Sequence, residues 1–223
     1  MKETYFAPSM MCADLLRLSE QIRVINEHAG FYHIDIMDGH YVKNITLSPD
    51  YIHQISQMAT IPIDAHLMVE HPSDYLEVLA NSGTTYISPH AETINKEAFR
   101  IIGKIHELGC KVGVALNPAT PLSFISPYIS LLDKITIMTV DPGFAGQRFI
   151  PQTLEKIREA YRLREENGYN YLIEADGGCC ARTFHMLKQA GCNVYVLGYS
   201  GLFSLDKNLE HAFAMVKKAF EES

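Results

Sequence analysis

The segment FYHIDIMDGH sets His33, Asp35 and Met37 at alternate positions, so an extended chain turns all three side chains to one face. IPIDAHLMV repeats the device with Asp64, His66 and Met68, and YLIEADGG repeats it with Glu174 and Asp176. Imidazole and carboxylate suit borderline and hard cations. His33, Asp35, His66 and Asp176 therefore form a candidate site for one divalent metal ion, Zn, Mn, Fe or Co, with positions left for a substrate. Each residue alone has a plainer reading as a hydrogen-bonded core histidine or a capping aspartate. Three segments delivering His or Asp to one rim favour the metal, because uncompensated buried charge is expensive.

Such a site suits a 2-ketose. A cation chelated by its carbonyl and neighbouring hydroxyl stabilises the enediolate formed when carbon 3 loses a proton. Asp35 and Asp176 are the candidate acid–base pair: one removes the proton, the other returns one on the opposite face, and carbon 3 inverts. Which of them starts is left open. Met37, Met68 and Met138 share the inward parity and are expected to wall off water near the intermediate, core filling being the plainer alternative.

Glycine clusters follow three successive strand-like runs, in DPGFAGQ, DGG and LGYSG. Glycine lets backbone N–H groups approach a phosphate, and in α/β barrels such loops follow the last strands. Gly146, Gly178, Gly198, Tyr199 and Ser200 are the candidates. Ser9 could bond a substrate hydroxyl or simply form a turn.

These side chains need strands to carry them. Short β-rich runs recur at Tyr5–Pro8, 31–36, 61–66, 84–88, Lys111–Leu116, 134–140, 171–175 and 193–197, with helical patterns between them. Ser48-Pro49, Asp14, Ser73 and Asn95 are expected to open helices, and Gly83, Gly109 and Gly191 to close them. A last helix is expected near Leu205. Eight β-then-α units predict one (β/α)8 TIM barrel spanning residues 1–223, an eight-stranded closed parallel sheet, with an open doubly wound sheet as the alternative. In both architectures the chemistry gathers at strand C-termini.

The composition agrees with that reading. Of the 223 residues 47% are hydrophobic and 20% charged, without a Pro, Ser or Gly tract to mark a linker. A formal charge of −7 argues against nucleic acid and anionic membranes as partners, so a bound anion must be held by local dipoles. The first residues carry no secretory pattern, and a cytoplasmic location is expected. Five cysteines without C-x-x-C spacing suit reduced thiols. Cys179 and Cys180 are expected beside the site, where oxidation would inhibit.

PSMMCADLL, HIDIMDGHYV, DAHLMVEHP, MTVDPGFAGQ and EADGG resemble the ribulose-phosphate 3-epimerase family across nearly the whole chain. Within it, NITLSP, HAETIN, MTVDPGFAGQRFIP and GYSGLF look more like the D-allulose-6-phosphate 3-epimerases than the pentose enzymes. The resemblance implies metal ligands at His33, Asp35, His66 and Asp176, an acid–base pair at Asp35 and Asp176, and a hydroxyl-binding Ser9. It also implies phosphate contacts along Gly143, Phe144, Ala145 and Gly146, at Gly177 and Gly178, and at Gly198, Tyr199 and Ser200, while His66 and the inward Met37, Met68 and Met138 are further expected substrate contacts. The partner it implies is a phosphorylated ketose, and a homo-oligomer, dimer or hexamer, is common among such proteins. Lys43, where the family usually has Pro, and Tyr199, in place of a small residue, depart from the pattern and bear on the lid and the phosphate pocket.

Two rivals belong to other classes. A decarboxylase of the orotidine-phosphate type needs a Lys between carboxylates on the third strand, and DAHLMV has none. A non-catalytic sugar-phosphate-binding barrel explains the glycine loops but not two inward carboxylates and two histidines.

Overall fold

The computed structural model describes residues 3–223. Its strands are β1 (Tyr5–Pro8), β2 (Tyr32–Asp38), β3 (Ile45–Thr46), β4 (Ile63–Met68), β5 (Tyr86–Pro89), β6 (Lys111–Leu116), β7 (Lys134–Met138), β8 (Leu172–Asp176) and β9 (Val194–Leu197). All pair in parallel except β3, a two-residue antiparallel addition to β2 that sequence periodicity is too short to signal. The ladder order β1-β9-β8-β7-β6-β5-β4-β2-β3 curls the sheet in the manner of a TIM barrel. Its two ends approach at an isolated parallel bridge between Ser9 and His33, beside a 2.9 Å bond from the Gly30 N–H to the Phe6 carbonyl.

The helices are α1 (Leu18–His28), α2 (Pro49–Ser56), α3 (Leu76–Asn81), α4 (Ala91–Ile94), α5 (Ala98–Glu107), α6 (Thr153–Asn167), α7 (Phe184–Ala190) and α8 (Leu209–Glu221). Ser48 caps α2 as expected, accepting from the Tyr51 N–H, with Pro49 in the first turn. Other boundaries differ from expectation. Asp14 caps a 3-10 turn, Leu15–Arg17, that precedes α1. Ser73 lies inside another, Pro72–Asp74, and caps nothing. Asn95 closes α4 instead of opening α5. Between β6 and β7 the chain makes 3-10 turns, Leu122–Ile125 and Ile129–Leu131, because Pro118, Pro121 and Pro127 deny a helix its N–H donors. The segment near Leu205 is a π-turn, Tyr199–Phe203, and α8 waits for the Asn208 cap. Gly83, Gly109 and Gly191 do take positive φ at the helix exits.

Outward strand residues such as Ile34, Ile36, Ala65, Leu67, Val114 and Ile137 join the main core under the helices. The inside of the sheet is layered differently. Ala7, Phe31, Tyr86, Val194 and Val196 form one apolar cluster, and Met37, Val42 and Met68 another at the rim. Between them lie His33, Asp64, Ser88, Lys134, Thr136 and Glu174, all without solvent exposure. Gly113 makes room for this polar band, since a Cβ there would collide with Ser88 Oγ.

Strand register sets the site. Pairing β2 with β4 places Asp35 beside His66 and Met37 beside Met68, while β7 against β8 places Met138 beside Asp176. A one-residue slip would turn each set outward, a change that burial on both faces forbids.

Candidate active site

Four donor atoms from three strands converge at the C-terminal end of the sheet. His33 Nε2 lies 3.4 Å from Asp35 Oδ1 and 3.4 Å from Asp176 Oδ2. His66 Nδ1 lies 3.3 Å from each of the same oxygens, and the two ring nitrogens are 3.2 Å apart. Nitrogen and oxygen ligands held about 2.0–2.1 Å from a tetrahedral centre stand about 3.3–3.4 Å from one another. The four side chains therefore fit a small divalent cation, and all four donors lie within 4.8 Å of one another.

The electrostatics call for positive charge at that centre. Burial opposes ionisation of Asp35 and Asp176, yet the neighbouring His33 and His66 hold both carboxyls below the usual carboxylate range. Burial likewise opposes charge on the two imidazoles, and the surrounding carboxylates outweigh it and raise both above the ordinary histidine value.

The outer nitrogens are also engaged. His33 Nδ1 lies 3.0 Å from Asp64 Oδ2, the carboxylate–histidine arrangement that orients metal-binding imidazoles. Asp64 accepts from Ser88 Oγ at 2.6 Å and from Lys134 Nζ at 2.5 Å, and Lys134 reaches Glu174 Oε1 at 2.6 Å. Burial works against the Asp64 charge, but Lys134 and His33 hold its carboxyl far below the normal range. On the other side, His66 Nε2 meets His90 Nε2 at 2.8 Å. Burial brings His90 down to about 4, against the pull of Glu92.

Above the donors opens a cleft lined by Ser9, Asp35 and Asp176, by Met37, Met68 and Met138, and by all three glycine loops. Ser9 Oγ donates to Asp35 Oδ2 at 2.6 Å. Gly143, Phe144, Ala145 and Gly146 line one wall; Gly177, Gly178, Gly198, Tyr199 and Ser200 line another. Gly177 has φ +118, and a Cβ there would run into the Val140 side chain. Among the described residues no Lys or Arg lines this cleft, which leaves an anion to backbone N–H dipoles such as the first-turn donors of Tyr199–Phe203. Lys43 is exposed on the loop after β2, and Tyr199 is 59% exposed at the cleft mouth.

His66, anticipated also as a substrate contact, has no solvent exposure and lies beneath the cleft, with one ring nitrogen in the donor cluster and the other against His90. Cys179 does line the cleft, but the residue is 2% exposed and its thiol donates to the Ala175 carbonyl at 3.4 Å. Burial raises its pKa well above the usual thiol value, so the thiolate that oxidants attack is scarce there. All five cysteines are free thiols.

Residues 5–203 match the ribulose-phosphate 3 epimerase family. The chain belongs to that family. It is 38% identical to the ribulose-phosphate 3-epimerase of Buchnera aphidicola, over 99% of this chain and 96% of the relative. The enzyme of that name from Synechocystis is 39% identical over 98% and 95% of the two chains. Among solved structures, KGPDC from Streptococcus mutans superposes with a TM-score of 0.75 at 10% identity, over 98% of each chain. A mutant tryptophan synthase α-subunit from Pyrococcus furiosus gives 0.71 at 15%, over 99% and 98%. These two likenesses show the TIM-barrel-type fold alone.

As a member of the ribulose-phosphate 3-epimerase family, the chain is an isomerase that acts as a ketose-phosphate 3-epimerase in carbohydrate metabolism. Sequence reasoning missed roles for Lys134, Ser88, His90, Tyr41 and Glu92. Inward parity marked Asp64 and Glu174, but nothing in spacing tells that Lys134, on a strand far along the chain from Asp64, joins them. Among the described residues, no helix is long and apolar enough to cross a membrane.

Proposed function

We propose that the chain inverts carbon 3 of D-allulose 6-phosphate to give D-fructose 6-phosphate through a cis-enediolate, using one divalent ion held by His33, Asp35, His66 and Asp176. The observation that carries the chemistry is the meeting of four donors at 3.2–3.4 Å beneath a cleft to which Asp35 and Asp176 are open. When bound, the ion supplies electrostatic stabilisation for negative charge developing on the substrate oxygens. Asp35 and Asp176 take and return the carbon-3 proton from opposite faces, exchanging roles with direction. Ser9 orients Asp35 and offers its hydroxyl to the sugar, and the three methionines keep water from the planar intermediate. The N–H groups of Gly143 to Gly146, Gly177, Gly178 and Gly198 to Ser200 hold the phosphate. We read the sheet as a closed (β/α)8 barrel of eight parallel strands, joined between β1 and β2 where Ser9 pairs with His33, with residues 1–223 as one catalytic domain.

The hexulose rests on NITLSP, HAETIN, MTVDPGFAGQRFIP and GYSGLF. A second reading, D-ribulose 5-phosphate to D-xylulose 5-phosphate, is favoured by the relatives, which are ribulose-phosphate 3-epimerases. Comparing kcat/KM for the two substrates on metal-defined protein decides between them, because the ratio reports differential transition-state binding. The expected outcome is at least about a tenfold preference for D-allulose 6-phosphate, with solvent deuterium entering at carbon 3 in D2O. A preference for the pentulose would move the assignment to the second reading. Undiminished turnover after complete metal removal would refute the ion.

A further inference from the structure

We propose that His90 is a positioning residue: it fixes His66 as a metal ligand through Nδ1, and is itself fixed by Tyr41 and Glu92. The inference rests on the metal reading above and goes beyond it. His66 turns Nδ1 to Asp35 and Asp176, so a cation bound there takes that lone pair and leaves the ring proton on Nε2. Nε2 lies 2.8 Å from His90 Nε2, which must then accept, and the neutral His90 ring carries its own proton on Nδ1. That proton has a place to go. Tyr41 Oη lies 2.9 Å from His90 Nδ1, and Glu92 Oε2 lies 3.5 Å away.

Each of these groups is braced in turn. Tyr41 Oη accepts from Asn117 Nδ2 at 2.8 Å. Glu92 Oε1 accepts from the Asn117 N–H at 3.0 Å and from Thr120 Oγ1. The His90 ring has no solvent exposure, stacks on His66 with centroids 5.0 Å apart at 19°, and packs against Tyr41 with centroids 4.8 Å apart. The hydrogen bonds thus run one way, from His66 to His90 to Tyr41. Reversing any of them would put a proton on the His66 nitrogen that the cation needs.

The chain also ends somewhere informative. Tyr41 belongs to the segment after β2 that reaches the first glycine loop, where Asn44 Nδ2 donates to the Gly143 carbonyl at 2.8 Å. One segment therefore both grips the glycine loop, through Asn44, and steadies the His90 ring, through Tyr41.

The test is zinc affinity, measured by competition with a chromophoric chelator on the full-length protein, with the unfolding temperature of the metal-free form as a control. His90→Phe keeps the stacked ring but removes the acceptor, and should weaken zinc binding by about 10- to 100-fold, the range for lost outer partners of a metal ligand. His90→Gln restores an acceptor and should bind within about threefold of the wild type, since the lost partner is replaced. In zinc-loaded wild-type protein, 1H–15N spectra should place protons on His66 Nε2 and His90 Nδ1. A proton on His90 Nε2, or His90→Phe binding zinc as tightly as the wild type, overturns the proposal even where the phenylalanine variant costs stability. Wild-type protein that binds none of Zn, Mn, Fe and Co would instead remove the metal reading, and this inference with it.

Discussion

Asp176→Asn leaves a folded protein whose turnover on either ketose phosphate falls by at least about a thousandfold, within the span of general acid–base contributions. Asparagine keeps the shape and an oxygen for the cation but can neither take nor return a proton at neutral pH. Asp176 sits at the cleft, its side chain 14% exposed, with one oxygen in the donor cluster. The measurement is kcat on metal-loaded variant, beside its unfolding temperature and metal content. Activity within tenfold of the wild type would refute the proton-transfer role. Asp35→Asn provides the complementary case. A metal-loaded variant lacking one carboxylate should still wash solvent deuterium into one epimer and not the other, because the remaining carboxylate addresses a single face.

The second large effect concerns stability. Lys134→Met removes the ammonium that lies 2.5 Å from Asp64 and 2.6 Å from Glu174, leaving two carboxylates in a region without solvent exposure. Breaking a buried ion pair from one side costs about 3–5 kcal/mol. Against a typical total of roughly 5–15 kcal/mol, that is enough to show as partial unfolding at ordinary temperature. Adding Glu174→Gln should recover at least half of the loss, because one of the stranded charges disappears while Thr136 keeps its partner. Urea titration of the three proteins measures this. A single variant within about 1 kcal/mol of the wild type would mean that water or a shared proton relieves the pair, contrary to the cost expected of a stranded charge.

Much of the candidate site could be read from spacing, because strand parity is a local property. His33, Asp35 and Met37 on one strand, and His66 and Met68 on another, follow from period two and the burial of both sheet faces. The glycine loops were legible for a similar reason, since positive φ at Gly143, Gly146, Gly177 and Gly178 is a demand that the residue type announces. What escaped depends on partners distant in sequence. Lys134 follows Asp133 in a run with no motif, and its function appears only when β7 lies across from β4 inside the sheet. His90 looked like one polar residue in HAETIN, whereas its meaning comes from which nitrogen of His66 turns inward. Boundary errors at Ser73 and Asn95 have another source: a good capping side chain was present, but the preceding turn had already committed the backbone.

β1 and β2 meet at the isolated Ser9–His33 bridge and at the bond from the Gly30 N–H to the Phe6 carbonyl, and His33 is a proposed ligand. A cation held by His33 on one side and by Asp176, on the third strand past that seam, on the other would act like a clasp on a hoop. The mouth would then owe part of its cohesion to the same atom that its proposed chemistry needs, so vacating the centre would loosen the rim as well as silence it.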